Sequence, residues 1–221
     1  MKNRKLKGIR RVLFDFDGTL FDTQKLHAEV ETMLVLREHG IYADPIDHSE
    51  KYAGWPTEKV FQLIVGCDSE EAMRLYGLKW EILFSRSPEA VQLAPLQSLF
   101  EELLRRGLTI AIGTASIAAW PRSVLREHDL LQYFPPETLI GGDMVKNGKP
   151  HPEIWQRAAG GVSPKACLVV EDAAAGIDDA PWYGARRARV RLRVGRLVTQ
   201  REPIALPNPL KPFAVVLADA L

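Results

Sequence analysis

The apolar and polar positions between Arg10 and Gly18 predict a buried strand that ends on two acids. The run Val12-Leu13-Phe14 is short, apolar and β-prone, and the glycine at position 18 breaks it. Residues two apart on an extended chain point the same way, so Asp15 and Asp17 should emerge together where the strand ends. Two negative charges at the end of a buried strand indicate a bound cation or a reaction.

Two plainer structures compete for the same stretch. One is a strand end with solvated acids. The other is an EF-hand calcium loop, which needs acids at positions 1, 3 and 5, Gly at 6 and Glu at 12. With Asp15 at position 1, position 12 is Leu26, and with Gly18 at position 6, position 12 is Gln24. Both registers fail, so the sequence excludes an EF-hand.

The pattern changes to helical periodicity over residues 22–93. An apolar stripe with helical spacing runs from Leu26 to Leu34, and Gly40 should end that helix. Residues 44–49 are predicted to be a loop. A second helix is predicted over 57–65, after Trp55-Pro56. Capping residues predict two more, one from a capping box at Asp68 to about residue 84 and one from Ser87-Pro88. No strand is predicted here, so we expect an all-helical block.

After this block the pattern alternates between strands and helices. Apolar strands are predicted over 108–113, 138–140 and 166–170, and helices over 96–107, 121–129 and 152–159. Such alternation implies an α/β fold with a parallel sheet and helices on both faces. The predicted core comprises residues 1–21 and 94–221, with residues 22–93 inserted after the first strand.

Composition narrows the functional class. The 221 residues carry a net charge of +1, which gives no sign of a nucleic-acid partner. Cys67 and Cys167 lack metal-ligand spacing and are predicted to be buried thiols. Six Lys or Arg precede Val12, but the apolar run that follows is too short for a signal peptide or a membrane span. We therefore expect a soluble cytoplasmic protein.

Polar side chains follow three of the predicted strands. They are Asp15 and Asp17, Thr114 and Ser116, and Glu171 and Asp172, with Lys149 in a nearby loop. Ligands bind at the carboxyl ends of strands in a parallel sheet. Four acids at one edge would repel without a cation, and hard oxygen ligands favour Mg²⁺ over zinc. A lysine and a hydroxyl facing such a site suit a phosphate.

Each of these pieces also has a plainer explanation. Thr114 and Ser116 could form only a turn, and Lys149 could be a solvated loop lysine. Glu171-Asp172 could be a helix cap with an acidic first turn. Their joint occurrence at strand ends, in this order, favours a shared site.

Four segments together resemble the motifs of the haloacid dehalogenase superfamily. They are Asp15-Phe16-Asp17-Gly18-Thr19-Leu20, Thr114 after an apolar strand, Gly148-Lys149-Pro150, and Glu171-Asp172 followed by Gly176-Ile177. The match covers roughly residues 10–180. It implies a Rossmann-like core and makes the helical insert a cap domain, similar to that of the branch containing β-phosphoglucomutase and sugar-phosphate phosphatases. Asp22-Thr23 followed by His27 resembles the same branch.

The resemblance implies a role for each matching residue. Asp15 would be the nucleophile that forms an aspartyl-phosphate, and Asp17 the general acid and base. Mg²⁺ would be held by Asp15, the backbone carbonyl of Asp17, Asp172 and Glu171. The phosphate-binding positions would be Gly18, Thr19, Thr114, Ala115 and Lys149. Lys149 is preferred over Lys146 as the motif lysine because Pro150 follows it.

A second acid at Asp17 favours phosphoryl transfer over dehalogenation, because a halide leaves without a proton. The cap loop from Tyr52 to Thr57 carries aromatic rather than basic residues beside its glycine, which favours a phosphatase over a phosphomutase. A protein that binds phosphometabolites without turnover is the other alternative. The substrate side is predicted to include His27, Trp55, Glu58 and Ser116. The expected partner is a small phosphorylated metabolite, and the protein should be a monomer or homodimer.

The resemblance weakens in the last third of the chain. Pro181 interrupts a predicted helix. Residues 186–194 alternate arginine with apolar residues, which predicts an edge strand. Residues from Arg196 onward are predicted to extend over the core, and no function is assigned to them.

Overall fold

The computed structural model describes residues 8–52, 55–172 and 185–189. Its strands are β1 (Arg11–Phe14), β2 (Phe21–Asp22), β3 (Val91–Gln92), β4 (Thr109–Gly113), β5 (Leu139–Ile140), β6 (Cys167–Glu171) and β7 (Arg186–Arg189). Its α-helices are α1 (Gln24–His39), α2 (Pro45–Tyr52), α3 (Thr57–Val65), α4 (Ser69–Ser85), α5 (Leu96–Arg105), α6 (Ala119–Glu127) and α7 (Glu153–Ala158).

The central sheet is parallel, with the strand order β5-β4-β1-β6-β7 in the part of the chain that is described. β1 is its middle strand, and Leu13 pairs with Ala111 on one side and Val169 on the other. Val12 and Phe14 point into one apolar core and Leu13 into a second core on the opposite face. Because both faces are covered, β1 is apolar throughout its length after Arg11.

The predicted α/β fold with an inserted helical cap is confirmed. Helices α1 to α4 lie between β1 and β4 in sequence, and α1 packs against the other three. Gly40 ends α1 with a φ of +67°, and the Asp68 carboxylate caps α4 by accepting from the Glu71 N–H. Ser87–Glu89 forms a single 3₁₀ turn instead of a full helix. The precise domain boundaries stay a prediction.

Two local predictions in the cap are wrong. Residues 44–49 are not a loop, because Asp44 accepts from the N–H groups of Ile46 and Asp47 and starts helix α2. Pro45 fits the first turn of that helix, where no N–H is needed. The insert also contains strand residues, since β2 pairs with β3 in a two-stranded antiparallel sheet where the chain enters and leaves the cap.

The remaining predictions concern the edge strand, the cysteines and the C-terminal segment. β7 is the outermost strand on its side of the described sheet, as an edge strand should be. Cys167 is buried, but Cys67 is only partly buried, so it differs from the prediction. Three predictions lie outside the described residues: the helix interrupted by Pro181, the Gly176-Ile177 segment and the C-terminal extension over the core. Within the described ranges, no helix is long and apolar enough to cross a membrane.

Candidate active site

Asp15 and Lys149 form a buried ion pair at the carboxyl end of the sheet. Asp15 directly follows β1, and its N–H donates to the Val170 carbonyl of β6, which fixes its backbone. Lys149 Nζ lies 2.5 Å from Asp15 Oδ1 and 3.3 Å from Glu171 Oε1. The same ammonium lies 4.3 Å from the ring centroid of Trp155 on α7. Lys149 is therefore held between two carboxylates and an aromatic face.

Three carboxylates from two strand ends converge beside this lysine. Asp15, Glu171 and Asp172 each offer an oxygen, and these oxygens all lie within 4.8 Å of one another. Glu171 Oε2 is buried and has no hydrogen-bond partner among the residues that the structure describes. Closely spaced hard oxygen donors, one of them buried and unsatisfied, fit a small divalent cation such as Mg²⁺. The Asp17 side chain lies outside this cluster, and the expected ligation by its backbone carbonyl stays a prediction.

The electrostatics of the cluster show an excess of negative charge. Burial, reinforced by the charge of Asp15, raises the pKa of Glu171 to about 9. Burial also raises the pKa of Asp15, against the opposing effect of Lys149. Burial opposes the charge on Lys149, but Asp15 and Glu171 outweigh it and raise the lysine pKa. One ammonium therefore faces three carboxyl groups whose ionised forms are destabilised by burial. This arrangement favours the binding of a further cation.

Asp17 lies in a separate pocket lined by hydroxyl and ring donors. Its Oδ1 accepts from Thr23 Oγ1 at 2.6 Å and Trp120 Nε1 at 2.9 Å. Its Oδ2 accepts from Ser116 Oγ at 2.7 Å and Thr114 Oγ1 at 3.2 Å. Burial alone would raise the pKa of Asp17, but nearby His27 and the hydroxyls of Thr23 and Ser116 hold it well below its usual range. The two acids of the first motif are therefore close in sequence but have different partners.

Gly18 is the position where the chain turns away from β1. Its φ is +85°, and a Cβ added there would lie 2.5 Å from Asp172 Oδ2 and 2.5 Å from Gln24 Nε2. Its N–H donates to the Phe21 carbonyl, and the Thr19 N–H donates to Phe16. Only glycine satisfies both the backbone conformation and this close approach. Phosphate contacts from Gly18 stay a prediction, because its amide is used inside the turn.

Thr19 and Gln24 hold the side chain of Asp172. Thr19 Oγ1 donates to Asp172 Oδ1 at 3.1 Å, and Gln24 Nε2 donates to Oδ2 at 3.2 Å. Thr19 was expected to bind phosphate, and that role stays a prediction. Its observed contact instead fixes the orientation of one of the three clustered carboxylates.

The loop after β4 brings the predicted hydroxyls to the same edge. Thr114 is buried, and its N–H donates to the Ile140 carbonyl of β5. A Cβ on Gly142 would lie 2.3 Å from the Ala115 carbonyl, so a glycine is needed where these loops touch. The loop is thereby packed firmly in place with Thr114 and Ser116 directed at Asp17. Phosphate binding by Thr114 and Ala115 stays a prediction.

The predicted cap residues differ in their distance from this chemistry. His27 Nε2 lies 3.6 Å from Asp17 Oδ1, and its ring packs edge-on against Trp80 and Trp120. Trp55 is 55% exposed and packs edge-on against Tyr52 in the cap. Glu58 is half-buried near the start of α3. Of these three residues, His27 is thus placed beside a residue of the first motif, and substrate contacts for all three stay predictions.

Several residues around the site were not predicted. They are Thr23, Gln24, Trp120 and Trp155. Thr23 carried a weak signal, because it is part of the Asp22-Thr23 pair that resembles the phosphatase branch. Trp120 and Trp155 carried none, since a tryptophan in an amphipathic helix is indistinguishable from an ordinary core residue.

Comparisons with known proteins agree with this geometry. The family model described as haloacid dehalogenase-like hydrolase matches residues 12–190. The fructose-1-phosphate phosphatase YqaB of Escherichia coli (strain K12) is 31% identical over 185 residues, covering 82% of this chain and 96% of that protein.

Two solved structures share the fold over most of the chain. A HAD hydrolase of family IA, variant 3, from Entamoeba histolytica has a TM-score of 0.74 at 26% identity, with 82% of this chain and 84% of that chain covered. A β-phosphoglucomutase from Clostridium difficile has a TM-score of 0.69 at 26% identity, with 83% and 85% covered. Motifs, fold and site thus lead to one conclusion: the chain belongs to the haloacid dehalogenase-like hydrolases.

Proposed function

We propose that the protein is a Mg²⁺-dependent phosphatase that hydrolyses a small phosphorylated metabolite, such as a sugar phosphate, through an aspartyl-phosphate. The observation that carries this proposal is the placement of Asp15. It is a buried carboxylate paired with Lys149 and adjacent to two further acids, while a second, hydroxyl-bound acid follows two residues later. Phosphoryl transfer needs a nucleophile, positive charge and a proton donor in this arrangement.

The first half-reaction forms the phosphoenzyme. A carboxylate oxygen of Asp15 attacks phosphorus, the new phosphorus–oxygen bond forms, and the bond to the substrate oxygen breaks. The pKa of Asp17 is low in the free site, and the negative charge of the bound phosphate raises it, so that Asp17 enters this step protonated. Asp17 transfers that proton to the leaving oxygen, so the product leaves as a neutral alcohol. Lys149 lowers the repulsion between the attacking carboxylate and the phosphate because its ammonium is already at Asp15.

The second half-reaction returns the free enzyme. Asp17, now a carboxylate, removes a proton from water, and the water oxygen attacks phosphorus. The bond between phosphorus and Asp15 breaks and inorganic phosphate leaves. Asp15, Glu171 and Asp172 would hold the Mg²⁺ ion. When bound, the ion offsets the negative charge of the phosphoryl oxygens.

The substrate class follows from the relatives and the cap. The Escherichia coli relative is named as a phosphatase of fructose 1-phosphate. In our proposal, the cap closes over the core and admits a small phosphorylated molecule, with Trp55, Glu58 and His27 on the substrate side. A cytoplasmic location and a monomeric or homodimeric state stay predictions.

A phosphomutase of the β-phosphoglucomutase type is the alternative, favoured by the similarity to the Clostridium difficile structure. Such an enzyme must hold a second phosphate in the cap. Lys79, a buried cap lysine, is already paired with Glu31 at 2.6 Å, and Lys51 lies over the Tyr52 ring. This charge distribution supports hydrolysis over mutase chemistry. Phosphometabolite binding without turnover is the remaining alternative.

The test is phosphate release from a panel of sugar phosphates, glycolate phosphate, nucleotides and p-nitrophenyl phosphate, with and without Mg²⁺. Asp15→Asn removes the nucleophile and should abolish release. Asp47→Asn is the matched control, because Asp47 is an exposed acid on α2. Mg²⁺-dependent release that only Asp15→Asn abolishes supports the proposal, and the best substrate narrows it.

Absence of release would overturn the phosphatase proposal. The same sugar phosphates would then be assayed for isomerisation with a bisphosphate activator. Isomerisation would identify a mutase. No reaction in either assay, with substrate binding still detectable by calorimetry, would support the binding-only alternative.

A further inference from the structure

Four hydrogen bonds converge on the Asp17 carboxylate, two on each oxygen. Oδ1 receives them from Thr23 and Trp120, and Oδ2 from Ser116 and Thr114. A carboxylate has about four lone-pair sites, so this set occupies all of them. A residue that exchanges a proton with substrate must release one of these partners.

The four donors are not chemically equivalent. Threonine and serine hydroxyls rotate, and each can either donate or accept a hydrogen bond. The indole N–H of Trp120 can only donate. Oδ1 therefore always faces one fixed donor, Trp120, whereas the hydroxyls of Thr23, Ser116 and Thr114 can turn when the carboxyl group gains or loses a proton.

Trp120 is itself held firmly. It lies in the first turn of α6, is completely buried, and its N–H points at Asp17. Its ring packs against His27 at 5.4 Å, Trp80 at 6.3 Å and Phe84 at 6.5 Å between ring centroids. These three residues belong to the cap. Trp120, which lies on a core helix, therefore contacts both the cap and Asp17.

We infer that Trp120 is a positioning residue that holds the Asp17 carboxyl group, through Oδ1, in the orientation from which it exchanges a proton with substrate. This inference rests on the proposed phosphatase function. In the first half-reaction the proton moves from the Asp17 carboxyl group to the substrate oxygen as the phosphorus–oxygen bond breaks. In the second half-reaction the Asp17 carboxylate receives a proton from the attacking water.

The test compares two tryptophan variants with two kinds of substrate. Trp120→Phe keeps an aromatic ring but removes the N–H. Trp80→Phe is the matched control, because it makes the same change in the same aromatic cluster and its indole takes no part in the Asp17 contacts. The substrates are p-nitrophenyl phosphate, whose phenolate leaves without a proton, and the best sugar phosphate, whose alkoxide needs one.

We expect Trp120→Phe to lower kcat/KM for the sugar phosphate by about 10- to 100-fold, because proton transfer by Asp17 is misdirected. For p-nitrophenyl phosphate, kcat/KM should change by less than about threefold, because bond cleavage there needs no acid. Since kcat/KM reports only steps up to phosphoenzyme formation, the later use of Asp17 as a base does not enter. Trp80→Phe should leave the ratio between the two substrates unchanged.

Loss of folding is controlled by a second replacement. Site-specific exchange of Trp120 for its benzothienyl analogue puts sulfur in place of the N–H and keeps the shape of the ring. An equal loss for both substrates, or the same ratio change in Trp80→Phe, would overturn the inference. If the wild-type protein hydrolyses neither substrate, the proposed function fails, and that result is known before any variant is compared.

Discussion

The ammonium of Lys149 lies 2.5 Å from Asp15 Oδ1 although 134 residues separate the two in sequence. This single group faces the proposed nucleophile and Glu171 together. Lys149→Met should lower kcat/KM by about 100-fold or more, since a preorganised charge at the reacting centre is lost. Steady-state assays on the best substrate of the panel measure this effect.

Lys146→Met is the control for that experiment, because Lys146 is exposed in the same loop. Lys149→Met should also reduce thermal stability without Mg²⁺, because it leaves buried carboxyl groups without their cation. Added Mg²⁺ should raise the Tm of this variant more than that of the wild type. Equal activity losses in both lysine variants would contradict the assignment.

Gly18 and Gly161 can be compared to test whether neighbouring side chains require a glycine at position 18. Both have a left-handed φ, +85° and +83°, but of the two only Gly18 has described residues within 4 Å of an added Cβ. Gly161→Ala should therefore cost only the backbone strain, about 1 kcal/mol. Gly18→Ala should in addition displace Asp172, lower kcat/KM about 100-fold and increase the Mg²⁺ concentration needed for half-maximal rate.

Thermal unfolding and Mg²⁺ titrations on both glycine variants separate the two effects. If the alanine at position 161 impaired the Mg²⁺ response as strongly as the one at position 18, strain alone would explain the loss. The proposed role of the Gly18 contact with Asp172 would then be wrong.

Glu31 and Lys79 form a buried ion pair in the cap, which His48 and Thr57 complete. Burial alone would raise the pKa of Glu31, but Lys79 and His48 lower it to about 2, from an ordinary value of 4.5. A depressed carboxyl pKa stabilises the fold fully above pH 4.5, and this stabilisation disappears as the pH falls towards 2. Its size is about 3 kcal/mol.

Thermal unfolding from pH 7 to pH 2.5 measures this contribution. The difference in unfolding free energy between wild type and Glu31→Gln should shrink as the pH falls, because the wild type loses the ionised carboxylate. Lys79→Met alone should destabilise by about 3–5 kcal/mol, because Glu31 is left buried and unpaired. Combining it with Glu31→Leu should recover most of that loss, and a pH-independent difference would contradict the pair's role.

Trp55 tests the proposed substrate side of the cap. Trp55→Ala should change unfolding free energy by less than about 0.5 kcal/mol, because the side chain is 55% exposed. The ratios of kcat/KM between substrates of the panel should change by about fivefold or more. Tyr42→Ala removes another exposed cap aromatic and should leave those ratios unchanged. If both variants keep the wild-type ratios, Trp55 does not select substrate.

The sequence predicted the elements of the fold because the patterns that define them are local. The apolar run before Asp15 and the capping box at Asp68 each report their own element. Asp44-Pro45 was also local, but loop-forming residues and helix-starting residues are the same types, so α2 was missed. The β2–β3 pair is only two residues long in each strand, too short for any alternation to appear.

The site was predictable in its residues but less so in its geometry. Alternation along a strand placed Asp15 and Asp17 on the same side, but β1 ends at Phe14, and the turn gives the two carboxylates different partners. The partners of Asp17 include Trp120, which is 103 residues away. No periodicity in the sequence reports such a contact, because it depends on how α6 and the cap pack together.

The short β2–β3 pair also has a consequence for modular engineering. Phe21 pairs with Gln92 and Asp22 with Val91, and the Leu93 N–H donates to the Leu20 carbonyl. The two chain crossings are thus already side by side, so a short turn could join them at little loop-closure cost. The insert can therefore be exchanged for another helical unit by splicing at these residues. The same core could then be given the substrate specificity of a different cap.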